Sequence, residues 1–181
     1  MPDSTTLVVV SGPPRSGKTT LAHALAKAIP CPAICRDEIK EGLVHALGGA
    51  FEPAPSDRLT ERTLPLFFDV LRLLLAAEVT VVAEAAFQDH VWRPRLEALA
   101  ALARLRIVQC HVEPAVAHAR RRAESGVHAR LSDAIEDWEH AYTAFDRLSL
   151  AAPSIDVDTA DGYTPGIDEI IEFVSSGEPG A

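Results

Sequence analysis

Residues 12–19 read GPPRSGKT and bring together the residue types that a polyphosphate needs. The spacing is G-x-x-x-x-G-K-[ST], with Gly12, Gly17, Lys18 and Thr19 in the defining places. Several backbone N–H groups must turn inward on one anion, and glycines allow that curvature without a Cβ clash. The pattern predicts nucleotide contacts from Gly12, Pro13, Pro14, Arg15, Ser16, Gly17, Lys18, Thr19 and Thr20. Lys18 is expected to reach the β- and γ-phosphates and so take part in catalysis, and Thr19 to hold Mg²⁺ through its hydroxyl. The helix that follows turns its positive end toward the phosphates.

Other ionisable residues stand where they could complete such chemistry. Asp37 follows an apolar segment, with Arg36 before it and Lys40 one helical turn later. A carboxylate there could take the proton of an attacking hydroxyl; the alternative is that it only caps a helix. Glu84 ends the run VTVVAE and is expected near Mg²⁺, through a water, and near the acceptor. Glu84 as the base in place of Asp37 stays open. Arg120, Arg121 and Arg122 end a helix, and Arg130 follows in a polar break. Arginines on a closing segment can neutralise transition-state charge, a role expected of Arg120 and Arg130; the alternative is cations solvated at a helix C-terminus. His111, His118 and His128 show no metal-binding pattern. Arg36, Lys40, Glu84 and Phe87 are the expected acceptor contacts.

These residues need elements to hold them. Thr6–Gly12, Pro32–Cys35, Val79–Glu84, Arg106–Val112 and Ser154–Thr159 read as five short strands. Between them lie helical patterns over Thr19–Ile29, Asp37–Leu47, Leu59–Ala77, Val91–Ala103, Pro114–Ala123, a stretch marked by Leu131 to Phe145, and Ile167–Val174. Pro94 suits a first helical turn. Gly48–Asp57 reads as a Gly/Pro loop and Glu124–Arg130 as a polar break. Alternating strands and helices predict an α/β fold, a five-stranded parallel sheet covered on both faces. Ligands then bind outside the carboxyl ends of the strands. That edge gathers the phosphate loop, Asp37, Glu84, His111 and Asp158.

Composition bounds the rest. The 181 residues, 48% of them hydrophobic, fit one domain with a full core. We expect residues 1–175 to form it, with a small lid near 120–131 and a frayed tail at 176–181. A net charge of −9 disfavours a large nucleic-acid surface. Cys31, Cys35 and Cys110 lack ordinary zinc-ligand spacing and read as reduced thiols of a cytoplasmic protein. The N-terminus lacks signal-peptide character, and the longest apolar stretch is too short to span a bilayer. There is no asparagine, so the Asn-Lys-x-Asp guanine motif is missing and ATP is the expected nucleotide.

The blocks GPPRSGKTT, CRDEIKEGL, VVAEAAF, the Arg-rich helix and VDTADGYTP together resemble the small P-loop kinases. That group includes chloramphenicol phosphotransferase-like, gluconate kinase-like, zeta-toxin-like and polynucleotide-kinase-like proteins. The resemblance covers nearly the whole chain. It implies a nucleoside-kinase-like fold and an acceptor-activating role for Asp37. It implies acceptor binding by Lys40, where polynucleotide kinases carry Arg. It also places Asp158, Thr159 and Asp161 beside the nucleotide base. The strand-3 acid of those relatives is usually Asp; here it is Glu84. The expected activity is ATP- and Mg²⁺-dependent phosphoryl transfer to a hydroxyl of a small molecule, by a monomer or homodimer, with no duplex nucleic acid bound. Two alternatives stand beside it: a nucleic-acid or nucleotide 5′-hydroxyl kinase, and a nucleotide-gated regulatory module.

Overall fold

A computed structural model describes residues 5–47, 58–123 and 138–176. Five strands form one sheet in the order β2-β3-β1-β4-β5, and every pairing is parallel. The strands are β1 (Thr6–Ser11), β2 (Ala33–Cys35), β3 (Val81–Glu84), β4 (Arg104–His111) and β5 (Ser154–Asp158). The central strand, TLVVVS, is buried at every position, which is why it reads as an unbroken apolar run.

Successive side chains of a strand point to opposite faces, and that alternation splits the core. Leu7, Val9, Val81, Ala83 and Ile107 face helices α3 (Arg58–Ala76) and α4 (Asp89–Leu99). Those helices supply Phe67, Phe68, Leu71, Leu75, Trp92, Leu96 and Leu99. Val8, Val10, Val82, Val108 and Val157 face α1 (Lys18–Ala28) and α7 (Ile167–Ser175). α1 answers with Leu21, Ala22, Leu25 and Ala26, spaced for one helical face. Helices α2 (Arg36–Ala46), α5 (Pro114–Arg122) and α6 (Trp138–Thr143) complete the described chain.

Several boundaries differ from expectation. α4 starts at Asp89, because Asp89 accepts from the Ser149 backbone and from Arg93 and so anchors the first turn. Pro94 therefore falls in the second turn, not the first. β4 begins two residues early, at Arg104. Arg104 and Arg106 both donate to the Ser176 carbonyl, at 3.3 and 2.8 Å, and tie the end of α7 to the sheet. Ser176, expected in a frayed tail, is thus held; 177–181 lie outside the described residues. The Gly48–Asp57 loop and the Glu124–Arg130 break lie outside them too.

Candidate functional site

The phosphate loop joins β1 to α1. Gly12 has φ 148° and Gly17 φ 76°, both on the side of backbone space that side chains disfavour. A Cβ on Gly12 would stand 2.3 Å from the Cys110 carbonyl oxygen, so the loop packs directly on β4. Gly17 precedes the first residue of α1 and caps it without a side chain. Lys18 is nearly buried and curls back over the loop, donating to the Pro13 carbonyl at 3.0 Å. The Ser16 hydroxyl is buried without a protein partner.

Strand register sets the next layer. Val10, Glu84 and Cys35 are level neighbours on β1, β3 and β2. Glu84 lies two residues beyond Val82, so it shares the face that packs on α1. There its Oε2 accepts from Thr19 Oγ1 at 3.2 Å. Glu84 is only 2% exposed. Burial pushes its carboxyl up; nearby Lys18 opposes this, and the charge of Asp37 adds to it. The Thr19 hydroxyl and the Glu84 carboxylate are hard oxygen donors side by side, the donor type that Mg²⁺ takes, and they fit it.

The raised carboxyl has a consequence for stability. The folded chain holds the Glu84 proton more tightly than the unfolded chain does. Stability from the protonated form is complete below the ordinary carboxyl range and is lost as pH rises through the higher folded value. Glu84→Gln is therefore expected to raise the melting temperature at neutral pH. Calorimetry across pH should show the gap closing toward about pH 4, near the ordinary glutamate value. A gap independent of pH would reject this account.

Asp37 sits in the first turn of α2, whose N-cap is Cys35 with no side-chain capping bond. The capping alternative for Asp37 thus finds no hydrogen bond here. Its half-exposed carboxylate accepts from Arg36 at 2.8 Å. Lys40 is nearly buried and donates to Thr60 Oγ1 at 2.8 Å, joining α2 to α3. Phe87 departs from its expected place on the acceptor surface. It is fully buried, 4.9 Å from the Trp92 ring centroid and 6.0 Å from that of Phe67. The aromatic cluster beneath the sheet edge takes it as core.

On the other side, Arg120 of α5 donates to the Arg15 carbonyl and to Thr159 Oγ1, each at 3.2 Å, and to the Thr159 carbonyl. Thr159 Oγ1 donates in turn to the Ser16 carbonyl at 2.8 Å. Arg120, Thr159 and the phosphate loop form one clasp. Asp158 faces its own loop, accepting from the Ala160 backbone at 2.8 Å. Arg130 lies outside the described residues. The clasp itself has no local signal in the sequence; only the VDT block hinted at Thr159.

A profile for the AAA domain matches residues 7–144. No curated protein sequence matches the chain significantly. Among solved structures, a candidate kinase from Chloroflexus aurantiacus J-10-fl superposes with a TM-score of 0.79 at 22% identity, covering 97% of this chain and 99% of that one. The APS kinase CysC of Mycobacterium tuberculosis, solved with AMPPNP and APS, gives 0.65 at 17% identity over 97% and 100%. A gluconokinase from Sinorhizobium meliloti 1021 gives 0.58 at 20% identity over 97% and 91%. At these identities the likeness is one of fold. No helix among the described residues is long and apolar enough to cross a membrane.

Proposed function

The chain belongs to the AAA-domain family, in its P-loop kinase-like form, and from that premise we propose that it is a phosphotransferase moving the γ-phosphate of ATP to a hydroxyl of a small molecule. The observation that carries the reading is the Thr19–Glu84 contact beside Lys18, with the Asp37 carboxylate close enough to raise Glu84. Lys18 leaves the Pro13 carbonyl to take the β/γ-phosphate oxygens. Thr19 and Glu84 would hold Mg²⁺, Glu84 through a water, and the ion would supply neutralisation of phosphate charge. Asp37 accepts the acceptor proton as the oxygen attacks phosphorus, and Arg36 and Lys40 hold the acceptor. Arg120 keeps the phosphate loop and the Thr159 segment together on the nucleotide side, with Asp158 beside them. Residues 1–175 act as one kinase domain; most of the lid expected near 120–131 lies outside the described residues. The activity test is acceptor-dependent ADP release across a panel of hydroxylated metabolites and antibiotics. ADP release that no acceptor stimulates would favour the nucleotide-gated module.

The cation supply near Asp37 predicts a compact acceptor. Arg36 and Lys40, which also contact Asp37 and Thr60, are enough for one anionic group but few for a strand, and Lys27 is exposed on α1. A polynucleotide held through its phosphates loses about 0.9 log units of affinity per log unit of salt for each phosphate neutralised on duplex DNA. We expect no measurable duplex binding at physiological salt in an anisotropy assay. Tight, steeply salt-dependent binding would promote the 5′-hydroxyl kinase instead.

A further inference from the structure

One turn along α1 from Thr19, His23 occupies the same helix face. Its Nε2 lies 2.6 Å from Glu38 Oε1 and 3.8 Å from Cys35 Sγ. The three ligand atoms all lie within 4.8 Å of one another. They come from three elements: His23 from α1, Cys35 from the end of β2, and Glu38 from the first turn of α2. A carboxylate oxygen and a thiol thus converge on one ring nitrogen, and the thiol lies within hydrogen-bond reach of Glu38 as well. A cation bound between them would take all three as ligands.

We propose that His23, Cys35 and Glu38 form a site for one Zn²⁺-class cation, separate from the Mg²⁺ position at Thr19 and Glu84. The donor set is mixed nitrogen, sulfur and carboxylate oxygen, which suits a borderline-soft ion and not Mg²⁺. Three protein ligands leave a fourth position for water, as in open zinc sites. Bond lengths of about 2.3 Å to sulfur and about 2.1 Å to nitrogen, at a tetrahedral angle, place those two atoms about 3.6 Å apart. The Cys35–His23 separation already matches. The His23–Glu38 pair must open by about 0.8 Å to reach the corresponding nitrogen–oxygen spacing. Both side chains are about half exposed, at 49% and 47%, so they have room to do so. Cys35 is fixed by burial and lies within hydrogen-bond reach of Glu84 as well as Glu38. The ion would therefore sit about 6 Å along the helix from the phosphate-loop threonine, and share a neighbour with Glu84. Cysteine spacing alone hides the site, because only one cysteine takes part and its partners are distant in sequence.

The proposal does not depend on the phosphotransferase reading, and its test measures binding directly. The chelator-stripped full chain is titrated with Co²⁺, then with Zn²⁺, and followed by absorbance. Wild type should saturate at one equivalent with a thiolate-to-cobalt band in the near ultraviolet, lost on adding Zn²⁺. Cys35→Ser should remove the band, and Cys31→Ser should leave it. His23→Ala and Glu38→Gln should each weaken binding at least about tenfold, the lower end of what supporting groups at metal sites cost. These two variants alter half-exposed side chains, so they carry the test even where Cys35→Ser folds poorly. Absence of one-equivalent saturation, or wild-type affinity in both His23→Ala and Glu38→Gln, would overturn the proposal.

Discussion

Lys18→Ala should lose ATP turnover by at least about 10²–10³-fold, the cost of removing one preorganised donor from developing oxyanion charge. The fold should survive. Among the described residues Lys18 makes a single hydrogen bond, to Pro13. A hydrogen bond from a charged group is worth about 1.5–3 kcal/mol, and deleting a nearly buried ammonium also removes its own desolvation cost. Gly17 and α1 do not depend on the side chain, since the helix is capped by backbone alone. One effect works against stability. Lys18 is the charge that opposes the upward shift of Glu84, so its loss raises that carboxyl further. Circular dichroism and the melting temperature check the fold, and ADP release checks the chemistry. Undiminished turnover in a folded Lys18→Ala protein would reject the role given to the phosphate loop.

The phosphate loop was legible because its chemistry forces a local spacing: two glycines, a lysine and a hydroxyl must follow one another in a single turn. Glu84 was legible for a related reason, a lone acid ending an apolar strand. Its partner Thr19 follows from strand alternation once α1 is placed on that face. Phe87 is core and not acceptor surface: it stands just past a strand, where periodicity no longer says which way a side chain points. Trp92 and Phe67 decide that by packing around it. The clasp of Arg120, Thr159 and Ser16 joins residues far apart in the chain, and nothing in any one segment announces it. The same holds for Arg104, which lies outside the strand expected to start at Arg106 and joins β4 where both arginines donate to the Ser176 carbonyl.

Asp37→Asn should reduce acceptor phosphorylation by about 10²–10⁴-fold while leaving ATP affinity close to wild type, since losing a general base costs about that much. The substitution keeps size and shape, and Asp37 makes no capping bond that asparagine would have to replace. What changes is charge. The Arg36 guanidinium loses an anionic partner at a half-exposed site, which costs little, about 0–1 kcal/mol. A neutral amide at this position would also relieve the like-charge pressure on Glu84, so the carboxyl beside Thr19 should ionise more readily, not less. If Glu84 were the base, Asp37→Asn would make it easier to ionise, and transfer would hold or rise. If Asp37 is the base, transfer falls although Glu84 is better placed to hold Mg²⁺. Single-turnover phosphorylation of an acceptor, alongside ATP binding by calorimetry, separates the two. Transfer at the wild-type rate would hand the base role to Glu84 and leave Asp37 as a favourable charge at the N-terminus of α2.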